Sequence, residues 1–213
     1  FLSKTDGWAT GEGNMIMHTV DGGKTWTPQD NGPFVGNYDI KRGKQECDFG
    51  FYDVDFVDER NGWVVGWNGQ IFNTTDGGLT WNPQNSGTNN VLLTVHFVDQ
   101  KRGWAAGEYG IIIHTEDGGN AWEAQSSSSE LQSGVFFIDE QEGWIVGDRG
   151  MILHTADGGN TWTTQNSGTK ECLSRVSFVD RDLGWAVGTG GAILHTRDGG
   201  KTWELQNGGT SDV

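Results

Sequence analysis

The sequence predicts an all-β fold, a β-propeller of four-stranded antiparallel blades, and three observations lead there. A frame of Gly-Trp, an Asp-Gly-Gly whose Asp lies thirteen residues on, and a second Trp five residues past that Asp recurs five times. Its tryptophans are Trp8 with Trp26, Trp63 with Trp81, Trp104 with Trp122, Trp144 with Trp162, and Trp185 with Trp203, in steps of 55, 41, 40 and 41 residues. Short runs of alternating apolar and polar residues fall four to a period, which reads as four strands and no helix of useful length. The 35 glycines recur at turn positions, against 3 prolines, so the composition punctuates strands rather than building collagen or a disordered acidic tail. Four short strands every 41 residues is the meander of a propeller blade.

The units fall at about residues 1–30, 49–85, 90–125, 131–166 and 172–207, with an inserted loop at about 30–48. The third shows the grammar. Residues 91–99 alternate, with Leu93, Val95 and Phe97 on one side, and read as the first strand. Residues 104–107 form the second strand, and Glu108 with Tyr109, between two glycines, makes a tight turn into a third strand over 111–115. The Asp117-Gly118-Gly119 corner leads to a short fourth strand at 122–125. A lone meander leaves both faces wet, so neighbouring blades must cover them. Each buried tryptophan removes about 150–250 Å² from water, so two per unit are strong anchors.

The Asp-Gly-Gly corner occurs at Asp21, Asp76, Asp117, Asp157 and Asp198. The aspartate can accept backbone N–H bonds across its own turn, and glycine supplies positive φ cheaply. Thr19, Thr74, Thr115, Thr155 and Thr196 stand two residues before these aspartates. Thr25, Thr80, Thr161 and Thr202 precede the second Trp, where the third unit has Ala121 instead.

The octet 19–26, Thr-Val-Asp-Gly-Gly-Lys-Thr-Trp, and its four copies resemble the Asp-box, or BNR, repeat. The longer run from Gly184-Trp185 through Asp198-Gly199-Gly200 and Trp203 to Gln206 is similar to the Ycf48/HCF136-like branch, which includes photosystem II assembly factors. The resemblance covers essentially the whole chain. It implies Asp-boxes between third and fourth strands, and an extracytoplasmic location (periplasmic, secreted or thylakoid-lumenal). Asp-boxes also occur in sialidases, xyloglucanases and sortilin-type receptors, so they identify fold far better than activity.

Phe1 lies seven residues before Trp8, as Phe56, Phe97, Phe137 and Phe178 lie before theirs, so the chain is expected to open partway through a first strand. Two closures fit the spacing: a five-bladed ring, or an arc of a larger one. An open arc would expose apolar blade faces, which favours the five-bladed ring.

Residues common to all five units hold each unit together, so function is sought in what differs. The variable rim carries the second-to-third strand turns and the connections between blades. There Trp67, Glu108, Tyr109, Asp148 and Arg149 stand out, with Phe34, Tyr38, Lys41, Arg42 and Lys44 of the inserted loop. Three bases within four positions, in a chain of formal charge −15, form a candidate patch for a protein partner. The same net charge argues against nucleic acid and anionic membrane. No apolar run is long enough to span a bilayer.

Enzyme signatures are weak. The arginines sit on opposite rims rather than converging as a sialidase clamp, and carboxylate pairs for glycoside hydrolysis (Asp55, Glu108 or Asp148) are easily found among 29 acids. His18, His114, His154 and His195 recur once per blade and read as structural, too far apart for one metal. His96, Arg175, Asp53 and Asp55 lie in first strands, within reach of the channel. Asn73-Thr74-Thr75 matches an N-glycosylation acceptor, and Cys47 and Cys172 read as free thiols. The expected protein is a non-catalytic scaffold or assembly subunit without cofactor or metal. The alternative is a carbohydrate-binding or glycoside-hydrolase propeller.

Overall fold

The computed structural model describes residues 1–11, 13–29, 50–125, 130–206 and 208. They form five antiparallel sheets, the blades of an all-β propeller. Blade one holds β1 (Gly7–Gly11), β2 (Met15–Thr19) and β3 (Thr27–Pro28). Blade two holds β4 (Phe51–Phe56), β5 (Gly62–Gly66), β6 (Ile71–Thr74) and β7 (Asn82–Gln84). Blade three holds β8 (Leu92–Phe97), β9 (Gly103–Gly107), β10 (Ile112–Thr115) and β11 (Glu123–Gln125). Blade four holds β12 (Gln132–Phe137), β13 (Gly143–Gly147), β14 (Ile152–Thr155) and β15 (Thr163–Gln165). Blade five holds β16 (Leu173–Phe178), β17 (Gly184–Gly188), β18 (Ile193–Thr196) and β19 (Glu204–Leu205). Strands pair in chain order within every sheet.

Blade one differs from expectation, because residues 1–6 are coil and its sheet has three strands among the described residues. Phe1 nevertheless occupies the place its spacing implies. Its ring sits edge-on to Trp26 at 5.9 Å, and a Cβ on Gly7 would fall 2.6 Å from it.

The Gly-Trp frame has one physical explanation that runs between blades. The first tryptophan of blades one to four stacks flat on the first-strand phenylalanine of the next blade: Trp8 on Phe56, Trp63 on Phe97, Trp104 on Phe137 and Trp144 on Phe178, with centroids 3.5–3.6 Å apart. The second tryptophan of the phenylalanine's own blade meets that ring edge-on, as Trp162 does to Phe137 at 5.9 Å and 87°. The opposite face of the ring lies against the glycine of the following Gly-Trp, where a Cβ at Gly143 would meet Phe137 at 2.5 Å. Glycine is therefore needed there for space.

A polar clasp accompanies three of these four stacks. Trp104 Nε1 donates to Gly158 O of the next Asp-box at 3.1 Å, and Trp63 and Trp144 do the same to Gly118 and Gly199. The last-strand glutamines reach those same carbonyls, Gln84 to Gly118, Gln125 to Gly158 and Gln165 to Gly199, at 2.8–2.9 Å. Trp63, Trp104 and Trp144 find a hydrogen-bond partner by this route, whereas Trp8 Nε1 is buried without one.

Burial follows the interfaces. Trp63, Trp104 and Trp144 are essentially inaccessible, whereas Trp185 is 37% exposed and has no phenylalanine stacked on it among the described residues. Val187 beside it and Phe1 on blade one are exposed too.

Candidate functional site

The Asp-box corners consume their own polar groups. In blade one, Thr19 Oγ1 donates to Asp21 Oδ1 at 2.9 Å and accepts from Gly23 N at 2.9 Å. Thr25 closes the corner, its amide on Oδ1 and its hydroxyl on Oδ2 at 2.6 Å. The second hydroxyl recurs in blades two, four and five. In blade three, Ala121 gives Asp117 only its amide, at 2.9 Å. The corners share a rim with the first-to-second strand turns, since Gly118 N donates to Lys101 O and Gly158 N to Gln141 O.

Arginines on this rim are also engaged. Arg102 pairs with Asp99 and Glu140, Arg181 Nη2 lies 2.6 Å from Asp139, and Arg60 Nε donates to Thr75 O. They do not converge into a carboxylate clamp.

The repeated histidines resolve into a packing role with varied electrostatics. His18, His114, His154 and His195 each stack or tilt against the first tryptophan of their own blade, at 4.4–5.1 Å. The residue just before each Gly-Trp decides the partner. Asp6 lies 2.6 Å from His18 Nε2 and Glu142 3.0 Å from His154 Nε2. Blade three has Arg102 at that place, and burial holds the His114 ring below the ordinary histidine value. Blade five has Leu183, and His195 Nε2 is buried without a hydrogen-bond partner.

The opposite rim carries the second-to-third strand turns. Its turns are short 3-10 segments, Trp67–Gly69, Glu108–Gly110, Asp148–Gly150 and Thr189–Gly191. Each rests on the entry of its blade's first strand, as Glu108 N donates to Val91 O and Asp148 N to Leu131 O. The middle residue is left-handed: Asn68 (φ 54°), Tyr109 (φ 56°), Arg149 (φ 55°) and Gly190 (φ 60°). Gly190 adopts this freely, while a bulky residue there carries about 1–3 kcal/mol of backbone strain. Tyr109 is 77% exposed and the Arg149 side chain 82%, with Glu130 Oε1 3.5 Å from its Nη1.

The candidate rim residues therefore divide. Tyr109 and Arg149 occupy one turn position on adjacent blades and project outward. Glu108, Asp148 and Trp67 occupy the preceding position and are half-buried, so Trp67 is less available than its composition suggests. Phe34, Tyr38, Lys41, Arg42 and Lys44 lie outside the described residues, as does Cys47; Cys172 is an exposed free thiol.

The inner wall holds a network that single positions did not reveal. Asp53 Oδ2 accepts from Thr94 Oγ1 at 3.0 Å and Val95 N at 3.1 Å, and Thr94 Oγ1 accepts from Val135 N. Asp55 Oδ2 accepts from Phe97 N at 2.7 Å. First strands lie at the sheet edges, and these side chains cover the N–H groups of the next blade. Arg175 donates to Ser133 O at 2.8 Å and brings Nη2 to 3.6 Å from Asp53 Oδ1, two blades beyond. It passes Gly134, which stands where blades two and three carry Asp53 and Thr94; a Cβ there would meet Ser174 O at 3.0 Å. Burial pushes the Asp53 carboxyl above its ordinary value, against the pull of Arg175. His96 shows the reverse balance: burial opposes its charge, but Asp55, the Phe137 carbonyl and Asp53 together hold it above the ordinary imidazole value.

A family model described as "Photosynthesis system II assembly factor YCF48" matches residues 39–134, 83–170 and 126–210. A photosystem II assembly lipoprotein Ycf48 of Prochlorococcus marinus (strain NATL2A) is 58% identical over 33 residues, 16% of this chain and 10% of that protein. A solved structure titled "YCF48 bound to D1 peptide" superposes with a TM-score of 0.69 at 24% identity, covering 97% of this chain and 66% of that one. An ancestral GH74 enzyme superposes with a TM-score of 0.66 at 13% identity, covering 97% of this chain and 32% of the enzyme. At these identities the superpositions are a likeness of fold. The chain spans less than two thirds of the length of the first of these structures. Among the described residues, no helix is long and apolar enough to cross a membrane.

Proposed function

From its membership of the YCF48 photosystem II assembly-factor family, to which this chain belongs, we propose a non-catalytic scaffold that binds a segment of a protein partner on the variable rim. The observation that carries the reading is the pair Tyr109 and Arg149, held outward at left-handed backbone positions on neighbouring blades. Strain of this kind persists where the surrounding structure imposes it, and an exposed tyrosine beside an arginine is the side-chain chemistry of a binding hot spot. On the Asp-box rim the box aspartates bond their own corners and Arg181 pairs with Asp139 of the preceding blade. A peptide of the D1 protein, the ligand named for the related structure, is the natural first probe. The family setting also supports an extracytoplasmic location.

The test is fluorescence anisotropy of a labelled D1 peptide with the wild-type chain and with Tyr109→Ala and Arg149→Glu variants. Saturable binding, weakened about tenfold or more by either change, is expected for a hot-spot residue. Binding that both variants leave intact would remove this rim from consideration. Retention on a xyloglucan column without peptide binding would instead support the carbohydrate alternative.

A further inference from the structure

His96 stands at the centre of the inner wall and faces acceptors on both sides. Its Nε2 lies 2.8 Å from the carbonyl oxygen of Phe137, in blade four. Its Nδ1 lies 3.4 Å from Asp55 Oδ2, in blade two. The ring packs on Phe136 with centroids 5.0 Å apart, which fixes its plane. A carbonyl oxygen can only accept, so Nε2 must carry a hydrogen. A neutral ring of that tautomer would turn the Nδ1 lone pair toward a carboxylate. Only the imidazolium satisfies both neighbours.

The charges around the ring agree. Asp55 and Asp53 approach from β4 and Arg175 from β16, while β12 contributes Ser133, Gly134 and Phe136, none of them titratable. With the ring protonated, two carboxylates are balanced by two cations. With the ring neutral, one carboxylate in a partly dry wall is uncompensated, which is costly.

We propose that His96 is a proton-dependent clasp across the channel wall, joining blades two, three and four when doubly protonated and loosening them when Nδ1 loses its proton. The clasp's folded-state value lies above the unfolded one, so its stabilisation is complete below about pH 6.5 and disappears as pH rises through the folded value. A chain moving from a mildly acidic to an alkaline compartment would relax its inner wall without changing any blade core.

The test is a histidine-resolved NMR titration of the folded chain, with amide hydrogen exchange at Phe97 and Val135 read alongside. His96 is expected to titrate above about 6.5. Asp55→Asn should lower its midpoint by about one unit or more, as loss of a close opposite charge does. Exchange at the two amides, divided by the intrinsic rate, should rise across the same midpoint. His96→Gln keeps an N–H donor for the Phe137 carbonyl and should abolish that step while preserving the fold. A wild-type His96 midpoint at or below 6.5 would overturn the clasp, as would an exchange step that persists in His96→Gln. The titration needs no variant, so the proposal stays testable if Asp55→Asn fails to fold.

Discussion

Replacing one tryptophan of the repeat at two different blades separates packing from motif. Trp104 and Trp185 occupy the same place in the sequence frame, yet Trp104 is inaccessible and Trp185 is 37% exposed. Trp104 stacks on Phe137 at 3.5 Å and on His114 at 4.6 Å, and its Nε1 bonds Gly158 O at 3.1 Å. Burial of about 150–250 Å² at about 25 cal/mol per Å² gives roughly 4–6 kcal/mol, near the observed Trp→Ala range of about 3–5 kcal/mol. Trp185 keeps its stack on His195 and lacks the stack on a following phenylalanine. Its replacement should cost about 2.5–4 kcal/mol, because about a third of its surface already meets water. Trp104→Ala should therefore lose about 2 kcal/mol more than Trp185→Ala in equilibrium urea unfolding followed by far-UV circular dichroism. Equal losses, within about 0.5 kcal/mol, would refute the claim that stability lies in the contact between blades rather than within each one.

Three further outcomes follow from the same geometry. Gln165→Ala leaves the Trp203 Nε1 that it accepts at 3.1 Å without a partner, and should cost about 1–3 kcal/mol, whereas Gln206→Ala, at an exposed residue, should cost under about 0.5 kcal/mol in thermal or urea unfolding. Ala121→Thr should supply the hydroxyl that Asp117 lacks, raising stability by a few tenths of a kcal/mol at this exposed corner; the same melts check it, and a fall in stability would contradict the corner's bonding scheme. The Thr25 hydroxyl and amide hold Asp21 down to about 2, and bonds from their own corners also lower Asp117, Asp157 and Asp198. These folded values lie below the unfolded ones, so the corners' contribution is present above about pH 3.8 and is lost as pH falls toward 2. A melting temperature that stays flat from pH 4 to 2 would contradict it.

Much of the architecture was legible because each repeated residue answers a local need. The Asp-Gly-Gly corners, the four-strand grammar and the division into two rims could all be read from spacing. Phe97 and Phe137 were visible as register marks, but their partners were not, since Trp63 and Trp104 belong to the preceding blade. The glutamine clasp was equally hidden: Gln165 reads as an ordinary strand end until Gly199 and Trp203 are folded against it. The channel wall was the least legible part. Arg175 meets Asp53 only because successive blades curve about an axis and Gly134 leaves the way clear. At the rim, Tyr109 and Arg149 stood out by their divergence, and only the backbone revealed their left-handed positions. Trp67 reads as exposed because it is an aromatic in a turn, and the fold half-buries it.

The flat stacking of one blade's tryptophan on the next blade's phenylalanine also has a consequence for how the molecule comes apart. Blades two, three and four are held from both sides, while blade five is held through Trp144–Phe178 on one side and leaves Trp185 without a phenylalanine on the other. In such an array each junction protects its neighbours. With Trp185 partly exposed and Trp104 fully covered, the amides of β17–β19 should exchange faster than those of blade three.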